Sequence, residues 1–207
     1  MSSQFECPDP LARAPRVVCD GRVPDTRLHL APPALQGAIV AILCRDTRGV
    51  ALTDAQRLSH FPASPMVSLS WFQGIDAGLV ERTDDGPQWR PFGTAAVLSG
   101  SQSLPTVTWA PTTGRGGMIC LTADVAQTLF GVDMAVAADR FVDAYTVLGA
   151  VWHPLLDALL DTHDDAAVLA VLEQHLAARW HALQGQDTMV SSLRRAGRHW
   201  VQRLAWV

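Results

Sequence analysis

The chain has 207 residues, of which 48 % are apolar and 17 % charged, with a formal net charge of −4. This is a globular composition with enough apolar material for a core that needs no staples, and it excludes a disordered chain. All sixteen basic residues are arginine, which excludes a Schiff-base lysine, a phosphate-loop lysine and the usual kinase lysine.

The N-terminal "MSSQFECPDPLARAP" lacks a basic region followed by an apolar stretch, and no run approaches the roughly 18 apolar residues of a membrane span. A cytoplasmic protein without membrane contact is expected. Cys7, Cys19, Cys44 and Cys120 form no C-x-x-C pair, so reduced thiols are expected rather than a disulfide framework or a zinc site. From there to about residue 121 the chain reads as short β-prone runs at 27–30, 38–44, 66–72, 79–82, 88–90, 95–98, 106–109 and 118–121. Turn chemistry separates them: "TRG" (47–49), "DDGP" (84–87), "SGS" (99–101) and "TTGRGG" (112–117). Many short strands so spaced predict an antiparallel sandwich or barrel.

In "HFPASPMVSLSWFQG" (60–74) the alternation sets Val67, Leu69 and Trp71 on one face and Ser68 and Ser70 on the other. In "TVTW" it pairs Val107 with Trp109. The apolar parity is expected to face the interior, with Trp89 contributed by a third strand. A barrel so lined would take an apolar or planar ligand, although the indoles could equally fill the barrel themselves.

The period then changes to that of helices. "TADVAQTLFG" puts Val125, Ala126, Leu129 and Phe130 on one face, with Thr122 as N-cap and Gly131 just past the end. "GAVWHPLLDALLDT" predicts a helix with Pro154 in its first turn. A further helix starts after Asp164 or Asp165 and aligns Val168, Leu169, Leu172, Leu176, Trp180 and Leu183. After "GQD" (185–187) a last amphipathic helix carries Trp200 and Leu204 on its apolar side, with Arg194, Arg195, Arg198 and Arg203 concentrated along it.

Residues that could carry chemistry do not assemble. The seven histidines form no H-x-H, H-E-x-x-H or H-x-x-x-H spacing, and Ser101 in "LSGSQS" is not a nucleophile elbow. Cys120, at the end of a strand, reads as a small core residue. "GRGG" (114–117) could cradle an anion through open backbone N–H groups and Arg115, but it neither opens a helix nor precedes a lysine, so a hairpin turn is the expectation. No catalytic residue, metal site or cofactor is expected.

"CRDTRGVALTDAQRLSHFPASPMVSLSWFQG", followed by "GTAAVLSGSQSLPTVTWAPTTGRGGMICLTADVAQTLFGVDMAVAADRFVDAYTVLG", resembles the N-terminal sensor half of AraC-type transcriptional regulators. The elements that carry the likeness are the proline-bounded "FPASP…SLSW" strand, the Gly100–Gln102 "GSQ", and the helices after it, in that order over roughly residues 45–183. The resemblance implies an α+β fold: a cupin-like antiparallel β-barrel or sandwich followed by a C-terminal group of helices.

It also implies a division of the chain. Residues 1–121 would be the sensor barrel, 122–186 a dimerising helical region, and 187–207 a basic linker helix leading toward a double helix-turn-helix domain that this chain lacks. The partners implied are a small-molecule effector, a second copy of the chain, and DNA only through that absent domain. Candidate lining residues are His60, Val67, Leu69, Trp71, Trp89, Val107 and Trp109. Candidate dimer contacts are Leu172, Leu176, Trp180, Leu183, Trp200 and Leu204. The histidine pair and glutamate of metal-binding cupins are missing, since His60 stands alone before Phe61. A cupin-like metalloenzyme with scattered ligands and a solid interaction module are the alternatives.

Overall fold

A computed structural model describes residues 6–12 and 24–186. Its ten strands are β1 (Asp25–His29), β2 (Ala41–Asp46), β3 (Leu58–Phe61), β4 (Met66–Gln73), β5 (Gly78–Thr83), β6 (Gly86–Pro91), β7 (Ala96–Ser99), β8 (Thr106–Trp109), β9 (Arg115–Thr122) and β10 (Phe141–Asp143). They form two antiparallel sheets, one of six strands in the order β1-β2-β9-β4-β7-β10 and one of four in the order β3-β8-β5-β6. Four α-helices follow or interrupt them: α1 (Ala123–Phe130), α2 (Ala144–Leu148), α3 (His153–Leu160) and α4 (Asp165–Gln186). The fold class is α+β. Among the described residues no helix is long and apolar enough to cross a membrane.

Helix boundaries follow local chemistry. Thr122 occupies the N-cap position of α1, and Gly131 closes it at φ +73°, donating its N–H to the Gln127 carbonyl. Pro154 sits in the first turn of α3, where a missing N–H costs nothing. Asp164 accepts from the Ala167 N–H at 2.7 Å at the start of α4. At the far end of α3 the Gln73 side-chain amide donates to the carbonyls of Leu159, Leu160 and Thr162, satisfying helix-end acceptors from within a strand.

The main core lies between the outer face of the six-stranded sheet and the helices. Val67, Leu69 and Trp71 of β4 stand beside Leu121, Ile119 and Gly117 of β9 in register. All three β4 side chains are at most 1 % exposed, packed in one cluster with Leu155, Leu159, Leu172 and Leu176. Gly117 is required there, because a Cβ would lie 2.3 Å from Cζ2 of the Trp71 ring. β10 follows α1 in sequence yet pairs with β7, so sheet and helices interleave along the chain around one core.

The apolar stripe of α4 is spent on this core. Leu172, Leu176 and Trp180 are buried, Leu183 packs beside them, and the Trp180 indole N–H donates to the Gln36 carbonyl at 3.3 Å. These four candidate dimer contacts therefore do not form a free surface. Trp200 and Leu204, with the expected linker helix 187–207, lie outside the described residues.

A second, smaller cluster covers the outer face of the four-stranded sheet. Leu58, Val80 and Trp109 are its buried members, with Trp89, Val107 and the Cys7 and Ala12 side chains of the N-terminal segment against them. Trp89 meets Trp109 edge-to-face at 5.6 Å.

Two strands, β3 and β10, were not legible as strands, and "GRGG" is not a hairpin turn. Arg115, Gly116 and Gly117 belong to β9, hydrogen-bonded between β2 and β4.

Candidate functional site

The inner faces of the two sheets line a half-open cavity of about 320 Å³. Pairing registers lay out its wall in rows. On the six-stranded sheet, Arg45, Gly116 and Phe72 form one row; Leu43, Met118, Ser70 and Val97 form the next; Cys120, Ser68, Ser99 and Phe141 form the third. Opposite them the four-stranded sheet contributes the pairs Ser59–Thr108 and Phe61–Thr106. The wall is thus built of hydroxyls and phenyl rings, with a glycine where a third side chain would stand.

The phenyl rings form a ladder. Phe72 stacks on Phe92 with centroids 6.0 Å apart, and Phe92 on Phe141 at 5.3 Å, the planes within 20° in both pairs. The polar end is different. Arg45 and Arg57 line the cavity, and no aspartate, glutamate or histidine does so among the described residues. Arg57 is held by backbone carbonyls, donating from Nε to Leu52 at 3.2 Å and from Nη1 to Pro111.

Arg45 reaches from one sheet to the other. Its Nη1 lies 3.4 Å from Ser59 Oγ and its Nη2 3.3 Å from the Gln56 carbonyl, both long for such bonds. Its Nε is buried without a partner among the described residues. Burial pulls the guanidinium below its ordinary range, although an arginine stays charged. Cys120, the one thiol in the wall, is pushed up by burial and so is held as a neutral thiol.

None of the seven candidate lining residues lines this space. Val67, Leu69 and Trp71 point to the opposite side of the sheet, into the helix-packed core. Val107, Trp109 and Trp89 belong to the outer cluster of the four-stranded sheet. His60 is exposed on that same outer face, paired across from Val107. Trp71 and Trp109 therefore share no interior. The register is right but the assignment of faces is inverted: the helices and the N-terminal segment cover the most apolar parity on the outside. A usable signal was present in the matched parity of Ser68 and Ser70 with Thr106 and Thr108, which sets hydroxyls on one face of both sheets.

A second cluster of ionisable groups lies on the helix side of the six-stranded sheet. Asp165, in the first turn of α4, places Oδ1 2.7 Å from Arg115 Nη2 and Oδ2 2.8 Å from His29 Nε2. Arg115 also donates to the Thr162 carbonyl at 3.1 Å and hydroxyl at 3.2 Å. Burial pushes the Asp165 carboxyl up, but the hydrogen bonds from Arg115 and His29 outweigh it and hold the group below its ordinary value.

Cys44 stands beside this carboxylate, and burial together with the aspartate charge pushes its thiol up to about 11. His29, Cys44 and Asp165 bring three potential ligand atoms within 4.8 Å of one another. Both oxygens of the carboxylate are already engaged, however, and a cation there would sit beside the positive charge of the Arg115 guanidinium. The arrangement fits a clamp that ties β1, β9 and the start of α4 together.

The fold and site together define an α+β protein of two antiparallel sheets with a ligand-sized cavity between them. No family model, no curated protein and no solved structure matches this chain.

Proposed function

We propose that this chain is the effector-sensing region of an AraC-type transcription regulator, a cupin-like, non-enzymatic domain that holds a small molecule between its two sheets. The cavity carries the reading: it lies between the two sheets, is ligand-sized and mostly apolar, and is furnished with a few oriented polar groups. Its serines, threonines and Cys120 have no neighbouring carboxylate or imidazole in the described wall to activate them, which disfavours acyl or proton transfer. The order of sequence elements supports the family, and DNA recognition then belongs to a C-terminal double helix-turn-helix domain. Any homodimer would use surfaces other than the buried stripe of α4.

A thermal-shift and calorimetric screen of small molecules against the wild-type chain and Ser70→Phe tests this reading. Saturable binding to the wild type, lost when the phenyl ring fills the cavity, is expected. Absence of any ligand, or equal binding to the filled variant, would sink it.

A further inference from the structure

Two cationic side chains line the cavity and no acid answers them among the described residues, although the whole chain carries more acids than bases. Arg45 takes part in no ion pair there; its carbonyl and hydroxyl partners are distant and its Nε is buried and orphaned. A half-buried guanidinium whose Nε is buried and unpaired carries a desolvation cost unless something else pairs with it. Its planar fork matches a carboxylate by two parallel hydrogen bonds. In the same row stand Gly116, whose bare backbone borders the cavity because a Cβ there would lie 2.5 Å from the Trp71 carbonyl oxygen, and then Phe72. Phe72 is two strand spacings from Arg45, roughly 10 Å. Beyond Phe72 the stacked Phe92 and Phe141 continue an apolar wall away from the arginine.

Resting on the sensor reading, we propose that the effector is an organic monocarboxylate with an apolar body. Its carboxylate docks on Arg45 beside Ser59, and its body lies over Gly116 against the phenylalanine ladder. Arg57 is committed to backbone carbonyls, while Arg45 has only two long bonds and an unpaired Nε, so one guanidinium is left to answer a ligand, which suits a single carboxylate better than a multiply charged phosphate. The apolar wall sets the second requirement: a headgroup without a body leaves the phenyl rings exposed.

Titration calorimetry with octanoate and phenylpropanoate, each against its matched alcohol (octanol, phenylpropanol) and against acetate, tests the assignment. The two long acids should bind wild-type protein at least tenfold more tightly than their alcohols, and acetate only weakly. Arg45→Met should erase the preference for acid while leaving the alcohols bound as well or better, and Arg45→Lys should retain part of it. The acid-over-alcohol comparison on the wild type stands even if Arg45→Met fails to fold. Alcohols that bind as tightly as acids would overturn the carboxylate assignment and leave a neutral-ligand sensor. Binding of neither class would overturn both readings.

Discussion

The two faces of strand β4 perform opposite tasks. Toward the helices, Val67, Leu69 and Trp71 are packed until almost none of their surface remains accessible. Toward the other sheet, Met66, Ser68, Ser70 and Phe72 border about 320 Å³ of open space. A face that must hold helices in place needs complementary volume, because interior voids forfeit contacts that nothing replaces. A face that must admit a ligand needs the reverse, and small side chains at strand-interior positions provide it. Ser68, Ser70 and Ser99 all fall on that inner wall, where valine or isoleucine would otherwise close it. Stability and recognition are thus divided between the two sides of one sheet.

The sharpest way to break this division is to empty the helix side. Trp71→Ala should destabilise by roughly 3–5 kcal/mol, the usual range for truncating a buried aromatic. The same variant, in whatever fraction remains folded, should bind cavity ligands with unchanged affinity. Urea unfolding and calorimetry read the two effects separately. Lost affinity without lost stability would return Trp71 to the ligand site.

A somewhat smaller effect is expected at the ionic clamp. Asp165→Asn leaves the Arg115 guanidinium, 3 % exposed, without its carboxylate, and breaking such a pair should cost about 3 kcal/mol. The same carboxylate gives a pH dependence with a definite sign. Its pKa is lower in the folded than in the unfolded chain, so its contribution is fully present above the ordinary aspartate value near 3.8. That contribution declines as the pH falls below this value and through the folded pKa. Wild type and Asp165→Asn should therefore converge in urea stability on acidification below about pH 4. A difference that stays constant down to pH 2 would remove the clamp from the account.

How far the sequence could reveal this division depends on the range of the interactions. The Gly131 close of α1, the place of Pro154 and the start of α4 were legible because the deciding contacts lie within one turn; Thr122 holds the expected N-cap position but makes no capping bond, its hydroxyl donating to Asp124 instead. The parity of β4 and β8 was legible too, but not which parity faced inward. That choice depends on what covers each face, namely α3 and α4 on one sheet and the Cys7–Ala12 segment on the other. Arg115 was hidden for a similar reason. Its glycine neighbours read as a turn, while the strands that make it a strand residue, β2 at Asp46 and β4 at Gln73, and its side-chain partners Thr162 and Asp165 all lie far along the chain. The three-residue β10 carries too little pattern to be seen and exists through its pairing with β7.

The smallest expected effect is the most discriminating for the inner face. Ser70 projects from the middle row of the cavity wall, and its hydroxyl has no hydrogen-bond partner among the described residues. Replacing it with valine removes no bond and adds a little apolar volume to a space that can accept it. A β-branched residue also suits the strand backbone. Stability should therefore change by less than about 2 kcal/mol and in the stabilising direction, since each of the two methyl groups gains about 0.8 kcal/mol at most on burial. Ligand affinity should fall at the same time, because the methyl groups occupy room beside Met118 and Val97 in the same row. Urea midpoints set against ligand titration would show the two quantities moving in opposite directions. A loss of more than about 2 kcal/mol would instead be the signature of overpacking. In that event the inner face would be a filled core like the outer one, and the contrast between the two sides of β4 would collapse.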